Sequence, residues 1–584
     1  MRRLPGPHAD HLRVLVGILC DLRAMGWCYY VEDGVVCTRP PDATALAPEA
    51  FKDFVRTGHL IERDAQLAQP ATRAFVQSME RRRLGPTGWH SIFSLIRDGR
   101  TLARELERAG SLPPGLERSA AVSAVIRPYV QVARRGEHCR FTGLDLSQIW
   151  RYFRHTWTTV YQSTPGRNLA FLIRDAAAPN HPVIGIGALG SSIVQLRVRD
   201  TWIGWSAENF LQAVREDPKS WARWALRALD DLIGDVYCAD LAAEGVLTAE
   251  QIAEPDLAVL ARLRGLSEEA RRDHRLFPQL DEHKKVQDDT DWEARARTHL
   301  FRYKRARALA DLLAIRFYLR EAGLRRARGP DLERALAHPR GVRALLGILR
   351  RVKAKHVGVN MMDITVCGAV APYNALLGGK LVSLLMASSE VVRAYADQYR
   401  NTPSVIASAM AGRPVRRDPE LVLLGTTSLY GNAPSQYNRV RMPAEAAEGT
   451  PGAEIQYERL GQTTGFGSYH FSAETVEAME ILLARNHRGR EVNSIFGEGV
   501  NPKLRKVRAA LDEIGLPSDL LLQHGQPRVV YGIPLAGELP RGALRTRATG
   551  RLPAAAPRSH RRGHRPVLDR AMAWQADRRP PSAR

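Results

Sequence analysis

No apolar run in this 584-residue chain reaches the ~18 residues a membrane span needs. The best stretch, Val357 to Ala371, is broken by Asn360 and Asp363. No membrane partner is expected. The basic start, Met1 to His8, leads into an apolar stretch that contains His11, Arg13, Asp21 and Arg23, which is not a signal-peptide core. Cysteine is scarce. Six residues (Cys20, Cys28, Cys37, Cys139, Cys238, Cys367) lie far apart and form no CxxC, which argues against a disulfide scaffold or a four-cysteine zinc site. Reduced thiols in a cytoplasmic protein are the plain expectation. Metal-binding patterns are also missing. His155, His356, His470 and His487 show no HExxH or paired spacing, so no metal is predicted. A two-metal nuclease or transposase needs clustered acids. Asp175, Asp363 and Glu498 are the only attractive set, and their spacing fits no defensible pattern.

Acids are in deficit as well: 62 Asp and Glu face 85 Lys and Arg, a net charge of +23. That balance favours an acidic partner, DNA or RNA first. With 44% hydrophobic and 25% charged residues the chain reads as globular. At roughly 100–200 residues per domain it holds three to five units. Residues 1–139 read as a helical N-terminal region with a β-hairpin, in which Leu12, Val16, Leu19 and Leu22 mark a helix and Asp33-Gly34 a turn. That pair fits either a winged DNA-binding module or a small structural cap. Residues 47 to 110 read as helices, with Arg81-Arg82-Arg83 as a basic patch.

Residues 140–205 read as the first part of an α/β core, with strands at 168–173 and 181–187 and a third, short and aromatic, within Arg197–Trp205. Residues 206–356 read as a helical insertion with buried stripes at Trp221, Trp224, Ala225, Ala228 and Leu229, and at Leu309, Leu312, Leu313, Phe317 and Leu324. From Lys284 to Lys355 it carries twenty basic residues against eight acids. Arg302, Lys304, Arg305, Arg325, Arg326 and Arg328 suit phosphate contact there, or form a solvated helix face. Residues 357–535 read as the second part of the core: a strand at 361–370, a helix through about Tyr399 and a strand at 421–427. The tail, 536–584, is Arg/Pro/Ala-rich without periodicity, with twelve Arg and three acids after Ala536, and reads as disordered.

The segment Val370-Ala-Pro-Tyr-Asn-Ala-Leu-Leu-Gly-Gly-Lys380 ends a buried strand, turns and starts a helix. Free N–H groups at a helix start form an anion site. Leu377, Gly378, Gly379 and Lys380 are the candidate phosphate or acyl-CoA ligands, although glycines at such a junction also serve packing alone. This order resembles the Gcn5-related acetyltransferase (GNAT) fold, in which a glycine-bearing loop after a central strand holds the pyrophosphate of acetyl-CoA. The usual glycine spacing is absent. The resemblance implies a general acid at Tyr437, giving a proton to a departing thiolate; a packed core ring is the other reading. Asn501 and Pro502 start a helix whose first turns carry Lys503, Arg505, Lys506 and Arg508. That charge opposes the helix dipole and so points to an external phosphate. An exposed helix with an ordinary cap is the alternative. Glu498, between two glycines, is a further candidate without a nearby partner carboxylate.

Across 140–535 the chain resembles the DruA-like proteins of Druantia anti-phage defence systems. The matching segments are Gly166-Arg-Asn-Leu169 with Arg174-Asp175, Arg199-Asp-Thr-Trp-Ile-Gly-Trp205, Tyr373 to Leu381, Thr426 to Gly431 with Ser435 to Arg439, Gly465-Phe-Gly467, and Phe496 to Arg505. The resemblance implies a role in bacterial defence against phage, beside other Druantia proteins that include a helicase-like partner. It weakens after Arg528-Val-Val-Tyr-Gly532, where the Arg/Pro/Ala tail begins. If the chain is an enzyme, acyltransferase chemistry is favoured over a nuclease or transposase. The alternative is a non-catalytic adaptor or scaffold for the other defence proteins.

Overall fold

The computed structural model describes residues 9–24, 26–39, 48–159, 166–277, 279, 286–287, 289–428, 435–447, 452–465, 467, 471–486, 502–523 and 527–535. The tail read as disordered (536–584), Glu498, Asn501, His470 and His487 lie outside them. At its centre is a mixed sheet of seven strands: β1 (Pro128–Val132), β2 (Asn168–Asp175), β3 (Val183–Ser191), β4 (Met361–Ala369), β5 (Leu423–Thr427), β6 (Glu458–Gln462) and β7 (Val529–Pro534). The spatial order is β6-β7-β5-β4-β3-β2-β1. All neighbours are antiparallel except β4 and β5. The sheet therefore begins at Pro128, inside the segment read as the N-terminal region.

The β2–β3 connection turns through Asn180 and His181 at positive φ, as the Pro/Asn turn predicts. One face of the sheet is closed by helix α1 (Leu146–His155), whose Ile149, Trp150 and Phe153 pack on Leu172, Val183 and Ile186. Segment Arg197–Trp202, read as a strand, is helix α2 instead. Its aromatic and β-branched residues mimic strand composition, but they do not alternate in and out. Arg199 and Asp200 are both buried there, with Nη2 to Oδ1 at 2.8 Å, so the polar pair is satisfied inside one helical turn.

Among the described residues of 206–356 every regular element is a helix, and turns join them. Phe210, Trp221 and Trp224 meet edge-on, and helix α3 (His299–Glu321) contributes Leu309, Leu312 and Leu313 to the same core. The continuous helix expected from Leu381 to Tyr399 is two helices, α4 (Lys380–Met386) and α5 (Ser389–Tyr399). Ser388 is extended at the break and starts the second helix. Both pack Leu384, Leu385, Met386, Val391 and Tyr395 onto the second face of the sheet.

The N-terminal helix Ala9–Ala24 packs Val14, Ile18 and Leu22 against Met479 and Leu482 of Ala473–Asn486 and Val507 and Leu511 of helix α6 (Pro502–Glu513). Residues 47 to 110 are not helices throughout. A hairpin, Arg83–Gly85 with Gly88–His90, interrupts them at Pro86-Thr87, where Gly88 adopts positive φ. Among the described residues no helix is long and apolar enough to cross a membrane.

Candidate functional site at the parting of β4 and β5

Strands β4 and β5 pair over three residues only: Met361 with Leu423, Met362 with Leu424 and Asp363 with Gly425. A bulge in β4 then leaves Thr365 without a partner opposite β3, because Ala188 faces Val366 and Leu189 faces Ile364. Bulges bend a strand and re-aim its side chains. Beyond the three paired residues, side chains meet the carbonyls of β4 instead. Thr426 Oγ1 donates to Ile364 O at 3.0 Å, and Gln436 Nε2 to Cys367 O at 3.0 Å. The parting opens into a cavity of about 910 Å³ bordered by Asp363, Thr365, Gly379, Gln436, Tyr437 and Arg528 among others. Trp157 covers Gly368 of β4 so closely that a Cβ there would press on its ring.

Asp363 is the charged group of interest. Ser192 Oγ donates to its Oδ1 at 2.8 Å, and Ile193 supplies a backbone N–H. Across the pair, Gly425 leaves room for the carboxylate; a Cβ there would collide with Oδ1. Burial pushes the Asp363 carboxyl above its ordinary value, and the hydrogen bonds and the Arg199 charge only partly offset it. Arg199 directs its guanidinium to Asp200, Ile193 O and Val194 O instead. An apolar strand interrupted by one Asp was the only sequence signal for this residue, which entered the reading solely as part of a metal set. The two described members of that set are far apart. Asp175 ends β2, beside Val183 of β3, whereas Asp363 faces Gly190 at the other end of that strand, about 24 Å away at 3.4 Å per residue. Asp175 accepts from Arg97 (2.7 Å), Tyr373 (2.8 Å) and the Arg127 N–H (2.9 Å). Among the described residues no group of three His, Cys, Asp or Glu could hold a metal ion.

Tyr437 follows β5 in a short 3-10 turn and is 8% exposed. Its ring stacks on Tyr457 at 4.9 Å and tilts against Tyr531 at 5.3 Å. Burial, with the Cys367 thiol nearby, drives its hydroxyl well above the ordinary tyrosine range, so it holds its proton. Burial pushes Cys367 itself up to about 11. Tyr437 is thus both a packed ring and a cavity wall.

The glycine junction departs from expectation. Leu377 N–H donates to Tyr373 O at 2.8 Å and Gly378 N–H to Asn374 O at 3.2 Å, closing a helical turn at Tyr373–Leu376. Neither faces a ligand. Gly379 borders the cavity, but a Cβ there would overlap Gln436 Oε1, and Lys380 is exposed at the start of α4.

The basic candidates divide. Arg305 has no exposure; its guanidinium grips Asp240 at 2.8 and 2.6 Å and reaches Ala296 O, so it is a core residue and not a phosphate contact. Arg302 pairs with Glu244, and Lys304 lies over the Phe301 ring at 5.2 Å. On α6, Lys503 donates to Phe471 O, Lys506 pairs with Glu480 at 2.8 Å and Arg508 with Asp519 at 2.8 Å, while Arg505 is half-buried. The acids that pair with this helix come from Ala473–Asn486 and Ser518–Leu521, 26 residues from Lys506 and 11 from Arg508. Arg325, Arg326 and Arg328 stay exposed just beyond α3.

A family model described as Druantia protein DruA matches residues 119–216 and 344–543, together just over half of the chain. This chain belongs to the DruA family. The matched stretches hold all seven strands of the sheet and flank residues 217–343 of the helical insertion. The Druantia protein DruA of Escherichia coli (strain UMEA 4076-1) is 34% identical over 175 residues, 30% of this chain and 39% of that relative. The chain thus spans well under half the length of the curated relative it matches. No solved structure matches.

Proposed function

We propose that the chain is a component of a Druantia-type anti-phage defence system, acting beside other Druantia proteins, and that its core is a GNAT-like unit that takes a small ligand where β4 and β5 part. The observation that carries the core reading is the sheet itself. Its one parallel pair joins the fourth and fifth strands, lasts three residues and gives way to the 910 Å³ cavity, with the glycine junction on its rim. Acyl-CoA is the candidate ligand. The cavity, Gly379, Lys380 and Tyr437 suit it, whereas Leu377 and Gly378 have spent their N–H groups and do not. When bound, it would supply an activated acyl group. The chain's own contribution is a proton acceptor at the Asp363 carboxylate and a retained proton at the Tyr437 hydroxyl. Nucleic acid would be engaged through Arg325, Arg326 and Arg328 on the insertion.

Calorimetry of the full chain with acetyl-CoA tests the ligand. Heat with wild type and none with Gly379→Glu supports it; no heat with either removes acyl-CoA and leaves the defence role standing. Phage plating on cells that carry the whole defence system, with and without this chain, tests that role directly.

The adaptor reading keeps one specific observation in its favour: the α6 cations and two of the four junction amides are satisfied internally. An adaptor forms a stable complex with the proteins encoded beside it even as Tyr437→Phe. A chain that stays monomeric with all of them is not an adaptor.

A further inference from the structure

Between the helix Pro70–Glu80 and the 3-10 turn Ile92–Leu95 lies the hairpin Arg83–Gly85/Gly88–His90. Leu84 faces Trp89 across it, and both point to solvent, 73% and 62% exposed. Phe93, 55% exposed, continues the apolar surface just after the hairpin. Arg81 and Arg82, directly before it, and Arg83, its first residue, are all exposed. The adjoining acid, Glu80, is taken by the Tyr152 hydroxyl at 2.8 Å. Among the described residues no ion pair engages the three arginines, and Arg83 donates only to the Ser78 carbonyl. Arg140, exposed and lying over the Phe141 ring at 4.6 Å, adds a cation at the foot of the hairpin.

This is a seated platform, not a loose loop. Thr87 Oγ1 donates to Phe141 O at 2.8 Å and pairs with His90 Nε2 at 2.7 Å. Gly85 lies on the Thr142 carbonyl so tightly that a Cβ would collide with it. Beneath, Met79, Ile92 and Leu95 are fully buried with α1. The fold thus fixes an indole and a leucine outward although neither contributes to its core. Leaving that much apolar surface in water forgoes roughly 25 cal/mol per Å².

An exposed aromatic face among unpaired guanidinium groups complements one chemistry well: an unpaired base joined to phosphates. The base stacks on the ring, and the arginines meet the backbone. A duplex hides its base faces and would gain only the charge contact. We infer that the 81–93 hairpin is a stacking site for single-stranded nucleic acid. It is separate from the insertion arginines and does not rest on the ligand assigned to the core cavity.

Fluorescence anisotropy of the full chain with a labelled oligothymidylate of roughly 20 nucleotides, longer than a typical ~4–16 nucleotide site, tests it. Trp89→Ala should weaken binding about 5- to 100-fold, the range that loss of one stacked base produces. Trp89→Phe should restore most of it. Arg81→Ser/Arg82→Ser/Arg83→Ser should reduce the salt slope by about 2, at ~0.7 per phosphate on single strands. A hairpin of matched length should lose much less than the single strand does in Trp89→Ala. Arg325→Ser/Arg326→Ser/Arg328→Ser separates the two surfaces, since it should leave the effect of Trp89→Ala unchanged. Equal oligothymidylate affinity in wild type and Trp89→Ala, with the fold intact by circular dichroism, overturns the inference. So does the absence of any binding at low salt, which would mark the platform as a protein contact.

Discussion

A buried aspartate in the helical insertion and a half-buried one in the core sheet are treated in opposite ways. Asp240 lies beside Arg305, and both guanidinium arms close on its two oxygens at 2.8 and 2.6 Å. Burial alone would raise its carboxyl, but the Arg305 hydrogen bonds and charge outweigh that and lower it. Asp363 is held by Ser192 and a backbone N–H, no cation pairs with it among the described residues, and its carboxyl is raised. The insertion encloses its charge in a closed pair. The core leaves a carboxylate short of a counter-charge on the wall of a cavity. Uncompensated burial of this sort has a stability cost, and it clusters where chemistry or binding needs it. A paired buried charge says little about function.

The largest effect should come from opening the closed pair. Arg305→Met leaves Asp240 buried with only Arg302, at 3.9 Å, as a counter-charge, and breaking a buried pair typically costs about 3–5 kcal/mol. Thermal unfolding should fall sharply, and Arg305→Met/Asp240→Leu should recover most of the loss. A single variant as stable as wild type would contradict a closed pair. Next, Gly425→Ala pushes a methyl group into the Asp363 carboxylate and should cost about 1–3 kcal/mol, as overpacking does. With Asp363→Ala the cost should shrink, because the two residues share one space. Additive losses in urea unfolding would show that they do not.

A smaller effect, of opposite sign, is expected of Asp363→Asn. The folded carboxyl is raised above its ordinary 3.8, so the folded state binds that proton more tightly than the unfolded chain. The penalty is in full force above the folded value and vanishes below about 3.8. The amide should therefore raise the melting temperature at neutral pH, by roughly 2–4 °C for each ~1 kcal/mol relieved. The gain should fade as the pH falls towards 4. His155 provides a control elsewhere in the core. Burial, with Arg151 and Arg154 nearby, holds it at about 4, below the ordinary 6.5. A depressed histidine contributes stability that is lost as pH falls from 6.5 towards 4. His155→Gln should flatten that part of the stability profile without altering the part that depends on Asp363. The smallest effect should be that of Arg325→Ser/Arg326→Ser/Arg328→Ser, within about 0.5 kcal/mol in stability because all three are exposed.

Much of the sheet was legible because its strands are apolar runs bounded by turn residues. Strands β2 and β3 fall at Asn168 and Val183, and β4 at Met361, close to where their composition places them. Helix α2 was misread because Trp202, Ile203 and Trp205 carry strand-like composition without strand alternation. The Arg83–His90 hairpin was missed because three residues per strand give too short a pattern to register. Tyr437 and Gly379 line the cavity, whereas the N–H groups of Leu377 and Gly378 are spent in a helical turn that no glycine spacing reveals. Ser192, Gln436 and Trp157 had no local signal, since each acts through a strand remote in sequence.

By itself the sequence determined the periodicities: apolar stripes that make the insertion helical, apolar runs that make the strands, and an excess of arginine. These are local properties, set by 3.6- and 2-residue repeats and by side-chain charge. Only the tertiary structure decided how each charge is used. Arg305 and Arg325 are alike in composition and close in sequence, yet one is enclosed with Asp240 and the other stands in solvent. The partner that neutralises Arg305 lies 65 residues away, and the strand that parts from Asp363 lies about as far along the chain. Burial and pairing depend on contacts between distant segments, and no local repeat encodes them.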